Sequence, residues 1–369
     1  MNDYRIYDVK ATLLTPVHIG SGEDLLNEYD FVIHRGRTWR LNEDGLLAAQ
    51  DVSDPALAEQ LARIPPGQLL QRGDFRPDGP FFRYVIQGTP RSDAPGAQVK
   101  EQLKDAYDRP YLPGTSLKGA LRTALAWVLW AKRDLKPEAQ KLGRNPKFAG
   151  QQYERALFGR DPNHDLLRAL HVGDSAAVSA EALMLVNARV IHRDGKLAAP
   201  VELEALKPDT VFNLTLKIDQ ALFSEWAGRE RLRGLPALEQ LAALVQTHTA
   251  ARLEEEVAWF DKVSNAGAVT GFLRQLQQSQ LPPHMCLLQL GWGTGWLDKT
   301  FGSHLQADAR FFDGVARDYK LSRGKRQSGD PFPKSRRVLV SLRRGAGGQV
   351  EERPVSSIGW LLLELQEQG

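Results

Sequence analysis

The sequence predicts an α+β fold arranged as two modules, and three observations carry that prediction. Short runs rich in Val, Ile, Thr and Tyr, several alternating apolar with polar residues, recur in both halves and read as half-buried strands. Each half also contains a stretch whose apolar residues recur at helical spacing. The 369 residues exceed what one growing core holds, roughly 250 to 300 residues.

Tyr4 to Leu14 alternates and ends at Thr15-Pro16, so it reads as the first strand. After the turn His18-Ile19-Gly20-Ser21-Gly22, Tyr29 to His34 and Thr38 to Leu41 form a predicted hairpin about Arg35-Gly36-Arg37. Leu46 to Ile64 is predicted helical, ended by Pro65-Pro66-Gly67. Phe81 to Gln87 reads as a strand, and Gly88 to Asp108 as a polar connection. The clearest helix runs from Thr115 to Arg133, where Leu117, Leu121, Ala124, Leu125, Val128 and Leu129 share a face and Thr115 or Ser116 is the expected N-cap. Leu135 to Phe158 is charged and reads as helical or irregular, with a break at Gly143 to Pro146. Strand-like runs then take over at Leu170 to Val172, Leu183 to His192 and Val211 to Ile218. Leu235 to Lys262 is the second long helix, and Leu287 to Leu290, Val338 to Leu342 and Trp360 to Leu365 read as strands. The change of texture near Gly159 to Arg168 sets an expected boundary between modules of residues 1–165 and 166–369. Strand, helix and paired strands in each half suggest two ferredoxin-like modules with helical insertions.

Composition narrows the function classes. With 42% hydrophobic and 25% charged residues the chain can build a sizeable core. A lone Cys286 excludes a disulfide framework and a thiolate metal cluster, which makes a reducing compartment the default. No run of 18 apolar residues occurs and the N-terminus lacks a signal-like apolar core, so a cytoplasmic protein with no membrane contact is expected. The net charge of +3 conceals a strong asymmetry: Lys320 to Arg344 holds nine cations and one anion, a net +8, which leaves the rest of the chain at −5. Such clustering is the electrostatic footprint of polyanion binding. A mobile solvated loop is the bland alternative, and the embedded Pro331-Phe332-Pro333, an apolar tip among cations, argues against it.

Three further segments are candidate sites. In Thr15-Pro-Val-His-Ile-Gly-Ser-Gly22, glycines beside His18 could form an anion nest, or merely an ordinary strand connection. In Tyr111-Leu-Pro-Gly-Thr-Ser-Leu-Lys-Gly-Ala-Leu-Arg122, Thr115 and Ser116 stand at a helix start with Lys118 and Arg122 following, an arrangement that favours an anion but also fits a capped amphipathic helix. Lys118 is followed by Gly119, so the P-loop pattern and nucleotide hydrolysis are not supported. In Leu290-Gly-Trp-Gly-Thr-Gly-Trp-Leu-Asp-Lys299, Gly293 and Gly295 permit close backbone approach and Trp292 or Trp296 could stack on a base, or pack over a glycine turn. Glu254-Glu255-Glu256 reads as a solvated helix face. No histidine pair has metal-ligand spacing, and no cofactor or metal is implied. His18 as general base of a metal-independent RNA cleavage is the alternative in a different class.

Together these segments resemble the RAMP superfamily of CRISPR proteins. The glycine loop combined with Pro331-Phe-Pro-Lys-Ser-Arg-Arg337 resembles, more narrowly, the fifth subunits of type III-A Csm complexes, which cap the 3′ end of the guide RNA. That resemblance implies RNA-recognition-motif-like, ferredoxin-type modules. It also implies a non-catalytic subunit that binds guide RNA (crRNA) and supports its maturation and complex assembly in antiviral defence. The implied neighbours are the repeated RAMP backbone subunit, the small helical subunit and recruited host nucleases. The implied RNA contacts are His18, Gly20, Ser21, Gly22, Thr115, Ser116, Lys118, Arg122, Trp292, Gly293, Gly295, Trp296 and Lys299, with Arg323, Lys325, Arg326, Lys334, Arg336 and Arg337 of the basic segment. No residue matches the acidic cleavage residue of the backbone subunit, and cleavage is not carried over.

Overall fold

A computed structural model describes residues 3–50, 59, 63–322, 326–345 and 349–369. In chain order the strands and helices are β1 (Tyr4–Leu13), β2 (Gly20–Leu26), β3 (Phe31–His34), β4 (Arg37–Leu41), α1 (Glu43–Ala48), β5 (Phe82–Gln87), β6 (Gln98–Gln102) and α2 (Gly114–Lys132). They continue with α3 (Gln151–Phe158), β7 (Leu170–Val172), β8 (Leu183–His192), β9 (Leu197–Leu206), β10 (Val211–Asp219), α4 (Leu235–Glu239), α5 (Leu241–Phe260) and α6 (Gly267–Gln278). The last are β11 (Met285–Gln289), α7 (Ala309–Asp318), β12 (Ser335–Arg344), β13 (Val350–Ser356) and β14 (Trp360–Glu367).

Two sheets organise these elements, in the mixed α+β class expected. The five-stranded sheet has the order β11-β14-β1-β10-β7 and is antiparallel throughout. Alternation in β1 buries Val9, Ala11 and Leu13 while Asp8 and Lys10 face outward. The buried face packs with Phe212, Leu214, Leu361 and Leu363 against Leu117, Leu121, Ala124 and Leu125 of α2, and α2 packs against α5. The nine-stranded sheet runs β2-β6-β9-β8-β5-β4-β3, with β12 beside the distal half of β8 and β13 outside β12. Both sheets draw strands from either side of residue 165: β1 pairs with β10 and β14, and β8 and β9 join β5 and β6.

Several local expectations are corrected. The helix expected over Leu46 to Ile64 begins earlier, at Glu43, because the Asn42 side chain accepts from the Gly45 N–H; α1 ends at Ala48, and Pro66–Leu69 is a 3-10 turn. Residues 51–58 and 60–62 of that segment lie outside the described residues. Gly20 to Gly22, read as a turn, opens β2, and the polar connection after Gly88 contains β6. The N-cap of α2 is Pro113 rather than Thr115 or Ser116, and the Gly114 N–H donates instead to Asp174 Oδ1 at 2.7 Å. Strands β9 and β13 and helices α6 and α7 had no counterpart in the sequence reading.

Candidate nucleic-acid interface

Long-range hydrogen bonds stitch the first motif to the late ones. The Trp360 N–H donates to Thr15 Oγ1 at 2.9 Å, the Gly359 N–H to Pro16 O at 2.9 Å, and the Trp292 N–H to His18 O at 2.8 Å. Gly291 makes the last contact possible, since its φ of +81° is poorly open to other residues and a Cβ there would lie 2.3 Å from His18 O. His18 is only 1% exposed, and its Nδ1 lies 2.6 Å from Glu204 O. Burial depresses its pKa to about 4, with Lys100 and Lys104 opposing a further positive charge. The ring of His18 is therefore a neutral structural donor, out of solvent, rather than a base presented to a substrate.

Beneath it lies a buried polar knot. Glu204, 1% exposed, accepts from Tyr84 OH at 2.7 Å and from Lys104 Nζ at 2.7 Å. Gly20, Ser21 and Gly22 sit on the exposed rim, where Ser21 Oγ donates to Glu101 Oε2 at 2.9 Å. A carboxylate thus occupies the hydroxyl the sequence offered to an anion.

The Gly-Trp loop and the Pro-Phe-Pro segment converge. A cleft of about 680 Å³ is lined by Gly293, Gly295, Trp296, Phe332, Arg336 and Arg337, with Lys334 also on its wall. Phe332 is no free apolar tip. Its ring meets Trp296 edge-on at 4.9 Å and Phe312 at 5.4 Å, with the Arg326 guanidinium 6.0 Å away. Trp296 is consequently a packing residue between Phe312 and Phe332. Trp292 packs beside Leu339 and Ile358, and the Arg337 guanidinium lies 4.6 Å from its ring centroid.

An ionic hub in the wall of the cleft, to which Arg252, Glu256 and Asp298 all belong, escaped the sequence reading. Arg252 of α5, 3% exposed, reaches Asp298 at 3.1 Å, Glu256 at 3.1 Å and Glu255. Burial opposes its charge, but Asp298, Glu256 and Glu255 together hold its pKa above the ordinary value. Glu256 also receives Arg336 Nε at 2.7 Å. Glu256 is therefore part of a buried network and not of a solvated face. The i, i+4 spacing of Arg252 and Glu256 was a usable signal, but only the fold brings Asp298 and Arg336 to it.

Three of the nine cations of the basic segment are paired with carboxylates among the described residues. Arg326 pairs with Asp313 at 3.0 Å, Lys334 with Asp330, and Arg336 with Glu256. Arg323 and Lys325 lie outside the described residues. Arg337 has no carboxylate partner among the described residues, and burial lowers its pKa. Lys299 is likewise lowered by burial and then by the charge of Arg337.

The helix-start motif opens onto a separate cleft of about 590 Å³, lined by Thr115, Lys118, Arg122, Glu154, Asp165 and Arg168. Lys118 Nζ donates to Leu170 O at 2.7 Å, and Arg122 pairs with Asp165 at 3.1 Å and Glu154 at 3.4 Å. Thr115 is exposed and Ser116 half-buried at its edge. Gly114 of this motif meets the end of β7 so closely that a Cβ would lie 2.2 Å from Val172 O. Among the described residues no group of three or more His, Cys, Asp or Glu could hold a metal ion, and no helix is long and apolar enough to cross a membrane.

Comparison with known proteins gives consistent matches. The family model of the RAMP superfamily matches residues 10–298. A curated relative from Methanocaldococcus jannaschii, described as CRISPR system Cms protein Csm5, is 23% identical over 311 residues, covering 79% of this chain and 72% of its own. Another Csm5, from Streptococcus thermophilus, is 28% identical over 241 residues, covering 60% of this chain and 66% of its own, just under two thirds. Among solved structures, a chain of a type III-A Csm–crRNA–target RNA ternary complex superposes with a TM-score of 0.72 at 24% identity, covering 97% of this chain and 100% of that one. The crystal structure of T. onnurineus Csm5 follows with a TM-score of 0.64 at 19% identity over 95% of this chain and 99% of that one.

Proposed function

The chain belongs to the RAMP superfamily, and from that membership we propose that it binds the guide RNA of a type III-A CRISPR ribonucleoprotein and caps its 3′ end without cutting it. One observation carries this reading: two motifs about forty residues apart in sequence, the Gly-Trp loop and the Pro-Phe-Pro segment, meet in one cleft where Lys334, Arg336 and Arg337 stand beside Glu256 and Asp298. Half-buried glycine backbone beside Arg and Lys is suited to a sugar-phosphate chain, and single-stranded RNA is bound through such grooves. Relatives described as Csm5, and a fold shared with a subunit of a Csm–crRNA–target RNA complex, support guide RNA and neighbouring Csm subunits as partners. Under this reading Gly293, Gly295, Lys334 and Arg337 face the RNA, while Trp296 and the Glu256-bound Arg336 shape the wall. The rim of Gly20 to Gly22 adds contact beside it. Lys118 and Arg122 form a second surface on which phosphate would have to compete with Asp165 and Glu154. His18, buried and neutral, holds the glycine loop and is not presented as the base of the cleavage alternative.

Crosslinking of guide RNA in the reconstituted complex, mapped to residue and nucleotide, tests the proposal. Crosslinks between residues 292–299 or 332–337 and the 3′-terminal nucleotides are expected. Crosslinks confined to other regions of the guide, or none to this chain, would overturn it.

A further inference from the structure

We propose that Arg337 is the contact for a single backbone phosphate of the bound RNA strand, with Trp292 as the platform that sets its guanidinium rather than as a base-stacking ring. The inference rests on the RNA-binding reading and specifies which group of the cleft makes the ionic contact.

The pairing of β12 is the starting point. Arg336 and Arg337 are consecutive on a strand, so their side chains leave opposite faces. Arg336 goes to Glu256 and lies 4.8 Å from the Trp259 ring, which fixes it inside the hub. Arg337 leaves by the other face and comes to rest on Trp292. A guanidinium lying over an aromatic ring keeps N–H groups free at its own edge, and that edge matches two phosphate oxygens. The ring beneath is already engaged, by the apolar cluster of Leu339 and Ile358 and by Arg337 itself, which leaves it poorly placed to take a base.

The ion pairs around the cleft single out the same residue. The other described cations of the basic segment that line the cleft are paired with carboxylates, as shown above. Arg337 lines the cleft half-buried and has no carboxylate partner among the described residues. A half-buried cation without a counterion is costly, and a phosphate against it removes that cost. Trp292 is held in turn by its N–H to His18 O, so the platform is anchored to the first motif of the chain.

The test uses the full chain and a 5′-fluorescent single-stranded guide RNA, with affinity measured by anisotropy as salt is raised. Arg337→Ala is expected to weaken binding about ten-fold, the loss of one charge-assisted contact. The same variant should lower the salt slope by about 0.7, the value for one phosphate on a single strand. Arg337→Lys should restore most of that slope. Trp292→Leu should weaken binding alone yet add nothing in the Arg337→Ala background, because the ring acts through the guanidinium. An additional loss in that background would mean that Trp292 stacks on a base and would overturn the assignment of the ring. If the wild type binds while Arg337→Ala keeps its affinity and slope, with unchanged melting temperatures, the subsite is refuted and the RNA-binding reading survives. If the wild type itself does not bind the RNA at low salt, the RNA-binding reading fails, and the subsite with it.

Discussion

Protonation of His18 is the perturbation whose magnitude follows most directly from the structure. Its Nδ1 donates to Glu204 O, its ring is 1% exposed, and Lys100 and Lys104 stand nearby. Burial therefore holds the folded-state pKa at about 4, against an ordinary value of 6.5. The unfolded chain takes up the proton first, so the stability conferred by neutral His18 is whole above pH 6.5 and is lost as the pH falls towards 4. At pH 5 the loss amounts to roughly 2 kcal/mol, less whatever local opening to water relieves. His248 behaves in the same sense: burial depresses it to about 3, and Arg252 and His304 add to the effect. Both ring nitrogens of His248 are buried without a hydrogen-bond partner among the described residues. Urea unfolding at pH 7 and pH 5 measures the sum. His18→Asn, whose amide nitrogen can replace Nδ1 as donor, should remove about half of the histidine-linked loss while leaving stability at pH 7 within about 1 kcal/mol. An identical pH dependence in wild type and His18→Asn would refute the argument that this buried ring titrates unfavourably.

Three further outcomes are expected. Asp298→Ala should cost about 1 to 3 kcal/mol in denaturant unfolding, because it removes the loop carboxylate from buried Arg252 while Glu256 and Glu255 still face it, whereas Glu255→Ala, on a carboxylate half exposed, should cost less than about 1 kcal/mol. Gly114→Ala should lower the melting temperature strongly, at about 2 kcal/mol or more, since its Cβ would lie 2.2 Å from Val172 O and must displace either the helix start or β7. Gly291→Ala should break the Trp292 N–H to His18 O bond and weaken RNA binding together with stability; unchanged anisotropy titrations would show that the junction of turn and loop does not shape the cleft.

Elements with a strong local signal were legible. Leu170–Val172 and Leu183–His192 have the bounds their alternation indicates, and Gly114–Lys132 has the apolar stripe of its heptad-like spacing. The misses share a cause. Strand β2 begins Gly-Ser-Gly-Glu and has no apolar alternation there, because it lies at the edge of its sheet with those residues exposed. Helix α2 shows an N-terminal Thr-Ser pair, yet Asp174, sixty residues on, supplies the acceptor that competes for the Gly114 N–H. Glu256 looked solvated because a carboxylate run carries no sign of the Arg252 and Arg336 that bury it.

By itself the sequence determined the fold class, the long helices, the concentration of positive charge between Lys320 and Arg344, and the motifs that resemble one superfamily. Those are properties of composition, local spacing and short patterns, and local physics suffices for them. Tertiary structure decided which cations remain unpaired, which tryptophan faces are occupied, and that the first strand pairs with the last. Strand pairing and ion pairing depend on distance in space, and contacts such as Thr15 with Trp360 or Arg252 with Asp298 join residues that no local pattern relates.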